Sequence, residues 1–411
     1  MSGRETEVEE ASWLLTTQAV VERTDNILNA GFGSDLAHFR VAEERIRPTA
    51  RLVADVTRER FPDLKIPPHA RWRHFVVEGH DLWAELAYTL DVPAEERARI
   101  RFDLAITSVL LDAGAGPDWQ YHHAPTGITV GRSEGLALAS FEAFRNGLFS
   151  SDPARPLLAD AAGLKALSEA KLAQAFQVDE GNPLNGLSTR AELMRVLGAS
   201  IEERLWGEAE ELRPGALFDI VRRESEAGTA SIGSAIATMQ SVVGAIWPGR
   251  QRLGGLNLGD TWHHPMAGGK GPGAGLVPFH KLMQWLCYSL IEPMQEAGLE
   301  VIEQEMLTPL AEYRNGGLLI DSGLLMPRHP KVLGEAHQPG DEVVVEWRAL
   351  TVGLIRLVAE EAREILEKTE QELPLASVLE GGTWWAGRRI AAEKRQGGGP
   401  PIRVISDGSV F

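Results

Sequence analysis

The stretch that most constrains this 411-residue chain runs from Val277 to Met294, which is apolar almost all round. A helix without a polar face must be buried, so the rest of the chain has to surround it. Pro278 suits its first turn, where a missing N–H costs nothing. Polar residues interrupt the run. Lys281, Gln284 and Tyr288 fall on one helical face through steps of three and four. An unpaired ammonium is costly to bury, so Lys281 must reach solvent, pair with a carboxylate or line a polar pocket, and we read it as lining a pocket. Cys287, the one cysteine of the chain, lies in the same run. It excludes an intrachain disulfide and a thiolate-rich metal site, and reads as buried packing in a protein of the reducing cytoplasm.

Helices also dominate the first quarter, from Ala11 to about Gly114, where Leu52, Val53, Val56 and Phe61 recur near helical spacing. Gly114–Trp119 breaks the pattern with turn formers. A helix is expected over Ser133–Arg145 with Ser133 as its cap, and one amphipathic helix over 160–176 carrying Leu164, Leu167, Leu172 and Phe176. Leu350, Leu354, Leu357, Val358, Ala362 and Ile365 mark another by their spacing. The glycine-rich stretch 248–275 reads as a long irregular loop, a candidate lid in which Trp262 would cover a ligand. Only 318–326 and 402–405 suggest strands. The fold class is therefore mostly α, with minor short strands and no tandem repeat. The chain exceeds the size at which a single core stops growing. Residues 1–66 read as an N-terminal helical extension and 67–411 as a helical catalytic unit, either one domain or two lobes with the site between them.

Composition narrows the function. With 44% hydrophobic and 24% charged residues the chain is a packed globular protein. A formal net charge of -17 argues against nucleic acid as a partner, and an anionic small substrate would need local arginines. The acidic start, with Glu5, Glu7, Glu9 and Glu10, is not a secretory signal, and no apolar run reaches the ~20 residues that span a bilayer. A soluble cytoplasmic protein without membrane partners is expected. No phosphate-binding Gly-Lys-Ser/Thr loop, Gly-x-Ser-x-Gly elbow or His-Glu-x-x-His helix occurs. His122–His123 and His263–His264 lack the spacing of ligands on one helical face, and the glycine clusters follow no βαβ strand, so neither a metal nor a nucleotide cofactor is expected.

Four clusters remain as candidates. Thr308–Gly317 gathers Glu312, Tyr313, Arg314 and Asn315 before two glycines, either a site or a charged surface turn. Arg132-Ser133-Glu134 at a helix start offers amides and a guanidinium to a phosphate, or is an ordinary cap beside an exposed ion pair. Asp118-Trp119 and Glu346-Trp347-Arg348 each set charge beside an indole, as in a stacked planar ligand's site or a packed wall.

Taken in order, Leu111–Trp119, Gly131–Ala137, Asn182–Leu184, Val277–Lys281, Glu312–Gly317, Glu346–Thr351, Gly381–Trp384 and Ser406–Gly408 resemble the uracil-catabolism family, also called uracil-regulated proteins. The likeness extends from about Pro67 to the end. The resemblance implies a pathway in which uracil is ribosylated and phosphorylated, then ring-opened by a relative of GTP cyclohydrolase, and yields urea and a three-carbon acid. Its unassigned step is cleavage of the bond between the urea nitrogen and the ribose anomeric carbon of a ribosylurea. The implied activity is thus an N-glycosidase working beside that ring-opening enzyme, with no cofactor. A metal-free amidohydrolase of the ureido group and a non-catalytic partner of the ring-opening enzyme are the alternatives.

A fainter similarity points to the same reaction. Lys281-x-x-Gln284, Leu307-Thr308 and Ala311–Arg314 resemble a segment of queuosine-phosphate N-glycosylases, helical enzymes similar in fold to DNA glycosylases. Lys281 matches their lysine, and Glu312 stands in place of their aspartate. The resemblance implies Glu312 and Lys281 as catalytic groups. Asp118, Trp119, Arg132, His280, Gln284, Tyr313, Arg314, Asn315, Glu346 and Arg348 are the expected substrate-binding residues, with Arg132, Arg314 or Arg348 on a 5-phosphate.

Overall fold

The computed structural model describes residues 3–112, 114–116, 118–247 and 251–405. More than half of the chain is helical, and among the described residues the strands form only two-stranded pairs, as the mostly α reading requires. The helices that carry the argument are α1 (Gly3–Leu14), α2 (Thr17–Phe32), α3 (Ile46–Arg60), α4 (Ala94–Leu110), α5 (Arg132–Arg145), α6 (Lys281–Glu296), α7 (Tyr313–Asp321), α8 (Glu342–Leu366) and α9 (Trp384–Lys394). The chain divides into two compact units. The first combines residues 3–69, 251–284 and 304–405, and the second 70–247 and 285–303.

In the first unit α8 is the central element. Val343, Val344, Trp347, Leu350, Leu354, Val358 and Ala362 are all buried on it, at the three- and four-residue steps that make one apolar face. Helices α2 and α3 pack on α8, and α7 packs on both α8 and α9. Two glycines permit that last arrangement. A Cβ at Gly316 would lie 2.5 Å from the Trp347 indole nitrogen, and one at Gly387 2.5 Å from the Arg314 carbonyl oxygen. Among the described residues four short strand pairs finish the unit: Phe39–Val41 with Leu325–Pro327, Arg252–Leu253 with Leu256–Asn257, Thr261–His263 with Leu276–Pro278, and Ala336–His337 with Arg403–Val404.

The second unit is built around α4, whose residues from Ile100 to Leu110 are all buried. Its buried charge is neutralised locally. Asp103 Oδ2 accepts from Arg213 Nε at 2.9 Å and Nη2 at 2.6 Å, while Oδ1 accepts from the Gly215 amide at 2.6 Å. Cys287 is buried here, and burial pushes its thiol up to about 12, as suits packing rather than nucleophilic attack.

Several sequence expectations need correction. The apolar helix starts at Lys281, because Pro278 ends a strand paired with Thr261 and His280 takes a left-handed φ of 48°. Helix α5 starts at Arg132 with Gly131 as its cap residue, and Ser133 lies inside the first turn. The expected helix over 160–176 is two, Ala161–Lys165 and Glu169–Ala175, because Asp160 and Ser168 each cap a new start. Residues 318–321 are the end of α7, and only Leu325–Pro327 is a strand. The stretch read as an irregular loop contains paired strands Arg252–Leu253 and Leu256–Asn257, and it buries Leu258, Asp260, Thr261, His264 and Ala267. Pro248 at its start, and the Ser406–Gly408 motif, lie outside the described residues.

Candidate functional site

A buried ion pair organises the first unit's polar centre. Arg348, on α8, donates from Nη1 to Asp260 Oδ1 at 2.8 Å and from Nη2 to Oδ2 at 2.7 Å, a two-pronged contact. Its guanidinium carbon lies 4.1 Å from the Phe279 ring centroid, and Nε donates to the Ala311 carbonyl at 3.3 Å. Asp260 also accepts from the Trp262 indole at 2.7 Å and from the Lys281 amide at 3.2 Å. Burial alone would raise this carboxyl's pKa. The Arg348 charge and these hydrogen bonds outweigh it and hold Asp260 well below the usual carboxylate range.

Through this pair, the start of α6 and the residue before Glu312 are fixed to the same two side chains. Gln284 adds a second tie, accepting from the Thr308 amide at 3.1 Å. Lys281 and Glu312, 31 positions apart in the sequence by their numbering, therefore have their backbones held by one hub. Glu312 caps α7. Its Oε2 accepts from the Arg314 amide at 2.6 Å and its Oε1 from the Asn315 amide at 2.7 Å. The carboxylate is half-buried and fixed in orientation, with lone pairs left over. What reads in sequence as a polar cluster ending in a glycine turn is the first turn of a helix.

The neighbours are more structural. Asn315 donates to the Leu310 carbonyl at 3.3 Å and accepts from Thr383 Oγ1 at 2.9 Å. Arg314 donates to the Gly398 carbonyl at 2.9 Å and lies over the Tyr313 ring. His280 donates from Nε2 to the Leu14 carbonyl at 2.9 Å. Burial lowers its pKa and Arg348 adds to this, against the raising influence of the Leu14 carbonyl and Asp260.

Glu346 is fully buried one turn from Glu342 on α8. Oε1 accepts from the His38 and Phe39 amides at 3.1 and 2.8 Å, and Oε2 faces His264 Nε2 at 3.4 Å. Because His264 Nδ1 accepts from the Met266 amide, the neutral ring carries its proton on Nε2, toward Glu346. His38, Glu342 and Glu346 present ligating atoms within 4.8 Å of one another.

The remaining expected residues lie in the second unit. Trp119 is buried, donates to the Phe176 carbonyl at 3.0 Å and stacks on the Phe176 ring, which is the packed-wall arrangement. Asp118 is exposed beside it. Arg132 opens α5 at a left-handed φ of 55°. In the same unit Arg71, fully buried, pairs with Asp112 at 3.1 Å and donates to Ser108 at 2.7 Å.

A family model described as "Protein of unknown function (DUF1688)" matches residues 13–411. The chain is 36% identical over 410 residues to "Protein urg3" of Schizosaccharomyces pombe, covering 97% of this chain and 98% of that protein. It is likewise 36% identical over 381 residues to "Uracil catabolism protein 4" of Lachancea kluyveri, covering 84% and 85% of the two chains. The chain belongs to this uracil-catabolism family. Within this family member, sequence reasoning missed Asp260, His264, His38 and Glu342. Asp260 stood between a glycine and Thr261-Trp262 in a supposed loop, and its arginine partner is 88 positions away. His38 and Glu346 are 308 positions apart, beyond any local spacing rule.

Proposed function

We propose that this protein acts in uracil catabolism as an N-glycosidase, hydrolysing ribosylurea or its 5-phosphate to urea and ribose or ribose 5-phosphate. The observation that carries the reading is the Asp260–Arg348 hub, which ties the Lys281 amide and the carbonyl preceding Glu312 to one buried pair. Its pathway context comes from the name of the Lachancea kluyveri relative. In the reaction the bond from the anomeric carbon to the urea nitrogen breaks, its electron pair leaving with the nitrogen. A water oxygen bonds to that carbon, and the water's proton ends on urea. Positive charge builds on the ribose ring, and a fixed carboxylate at Glu312 stabilises it more than the neutral ground state. The same carboxylate is suited to orient and deprotonate the water. Urea is a poor anionic leaving group, which assigns Lys281 the task of donating a hydrogen bond or proton to it. Asp260 and Arg348 act as positioning residues. The substrate would come from the ring-opening, GTP-cyclohydrolase-like enzyme, in the cytoplasm.

Incubating the purified protein with ribosylurea 5-phosphate and following the products by mass spectrometry tests the reading. Ribose 5-phosphate and intact urea should appear in equal amounts, and Lys281→Met should abolish them without lowering the melting temperature. Ammonia and carbon dioxide in place of urea would establish an amidohydrolase. Absence of turnover together with binding to the ring-opening enzyme would establish a non-catalytic partner.

A further inference from the structure

Two glutamates one turn apart on a helix repel each other, and the repulsion grows as one of them is buried. Glu342 and Glu346 are such a pair, and among the described residues neither meets a lysine or arginine. What faces them is imidazole. His38 Nε2 lies 3.6 Å from Glu342 Oε1, and the ligating atoms of His38, Glu342 and Glu346 lie within 4.8 Å of one another. We propose that these three side chains form a binding site for a divalent transition metal of the zinc class.

The donor set fits that class: one imidazole nitrogen and two carboxylates, a mixture zinc accepts at about 2.0–2.2 Å. Atoms bonded at that length sit about 3–4 Å apart around one ion, so small side-chain rotations bring these three into place. The surrounding groups are arranged as a metal's outer shell. His38 Nδ1 lies 3.0 Å from His329 Nε2, so when Nε2 of His38 takes the ion its other nitrogen keeps a proton and donates it to His329. Glu346 is fixed on the far side by two amides on Oε1 and by His264 near Oε2, which leaves a lone pair of Oε2 for the ion. The site is also open. Side-chain exposure rises from 0% at Glu346 to 21% at His38 and 45% at Glu342, giving an entry path and room for water in the remaining coordination positions. A bound dication removes the carboxylate repulsion. The inference is independent of the glycosidase reading, since no step of that reaction passes through these residues.

The test uses the full chain, stripped with a chelator and dialysed to equilibrium against zinc chloride, with magnesium and manganese in parallel, followed by elemental analysis. One zinc per chain should bind, magnesium should not displace it, and the melting temperature should rise on loading. Glu342→Gln and His38→Asn should each weaken zinc binding at least tenfold. Glu342 is exposed, so its variant should keep the apo protein's circular dichroism and melting temperature. Substituted cobalt should give a visible spectrum of nitrogen and oxygen coordination that both variants lose. Failure of the wild type to take up zinc, or equal uptake by both variants, would overturn the site and leave His38 and Glu342 as polar neighbours.

Discussion

A carboxylate that caps a helix is held still by the amides it accepts, and at Glu312 this restraint coincides with the role that its chemistry suggests. Glu312→Gln keeps one amide acceptor and removes the charge. The loss of a good cap should cost about 1 kcal/mol of stability. The rate with ribosylurea 5-phosphate should fall about a hundredfold, or ~2.7 kcal/mol of transition-state stabilisation. Single-turnover kinetics and a thermal melt on one preparation separate the two effects. A variant with slightly lower stability and full activity would reduce Glu312 to a capping residue.

At the scale of elements, the joint between the Leu276–Pro278 strand and α6 depends on side chains from elsewhere. Asp260→Asn strands the Arg348 guanidinium in a buried place, and loosens the Trp262 indole and Lys281 amide with it. Breaking one half of such a pair should cost about 3 kcal/mol or more by chemical denaturation. Asp260→Leu combined with Arg348→Met, which removes both charges, should cost less than the single change. If the single variant were as stable as the parent, the pair would not organise this joint.

His280, in the left-handed turn that opens α6, adds a pH dependence with a definite sign. Its folded pKa lies below the ordinary value of about 6.5, so between the two values the unfolded chain binds more protons than the folded one. The contribution of the neutral ring is therefore fully present above about pH 6.5 and is lost as the pH falls below it. Asp260, held below the carboxylate range, loses its share only at much lower pH. His280→Asn tolerates the positive φ and does not titrate, so stability measured against pH should become flatter just below pH 6.5. An unchanged slope would assign the dependence to other histidines.

At the scale of the whole molecule, each unit is assembled from distant parts of the chain. Ser289 accepts from the Arg71 amide at 2.9 Å and, through its carbonyl, from the Trp72 indole at 2.6 Å, while Glu300–Ile302 pairs in parallel with Thr229–Ser231. A fragment of residues 70–247 lacks both partners, and should show reduced helical circular dichroism and no cooperative melt. A sharp transition would mean that this segment's own helices suffice. The sequence by itself determined the helical class, the apolar face of α8 and the apolar run that forms α6, because apolar periodicity and turn residues act over a few positions. It also carried the family likeness and drew attention to Lys281 and Glu312. Only the tertiary structure decided that Glu312 is a cap, that Trp119 is a wall, that Asp260 and Arg348 form one pair, and that His38 meets Glu342 and Glu346. Hydrogen bonds, charge and metal-ligand geometry act over a few ångströms of space, and folding alone brings residues 88 and 308 positions apart to that distance.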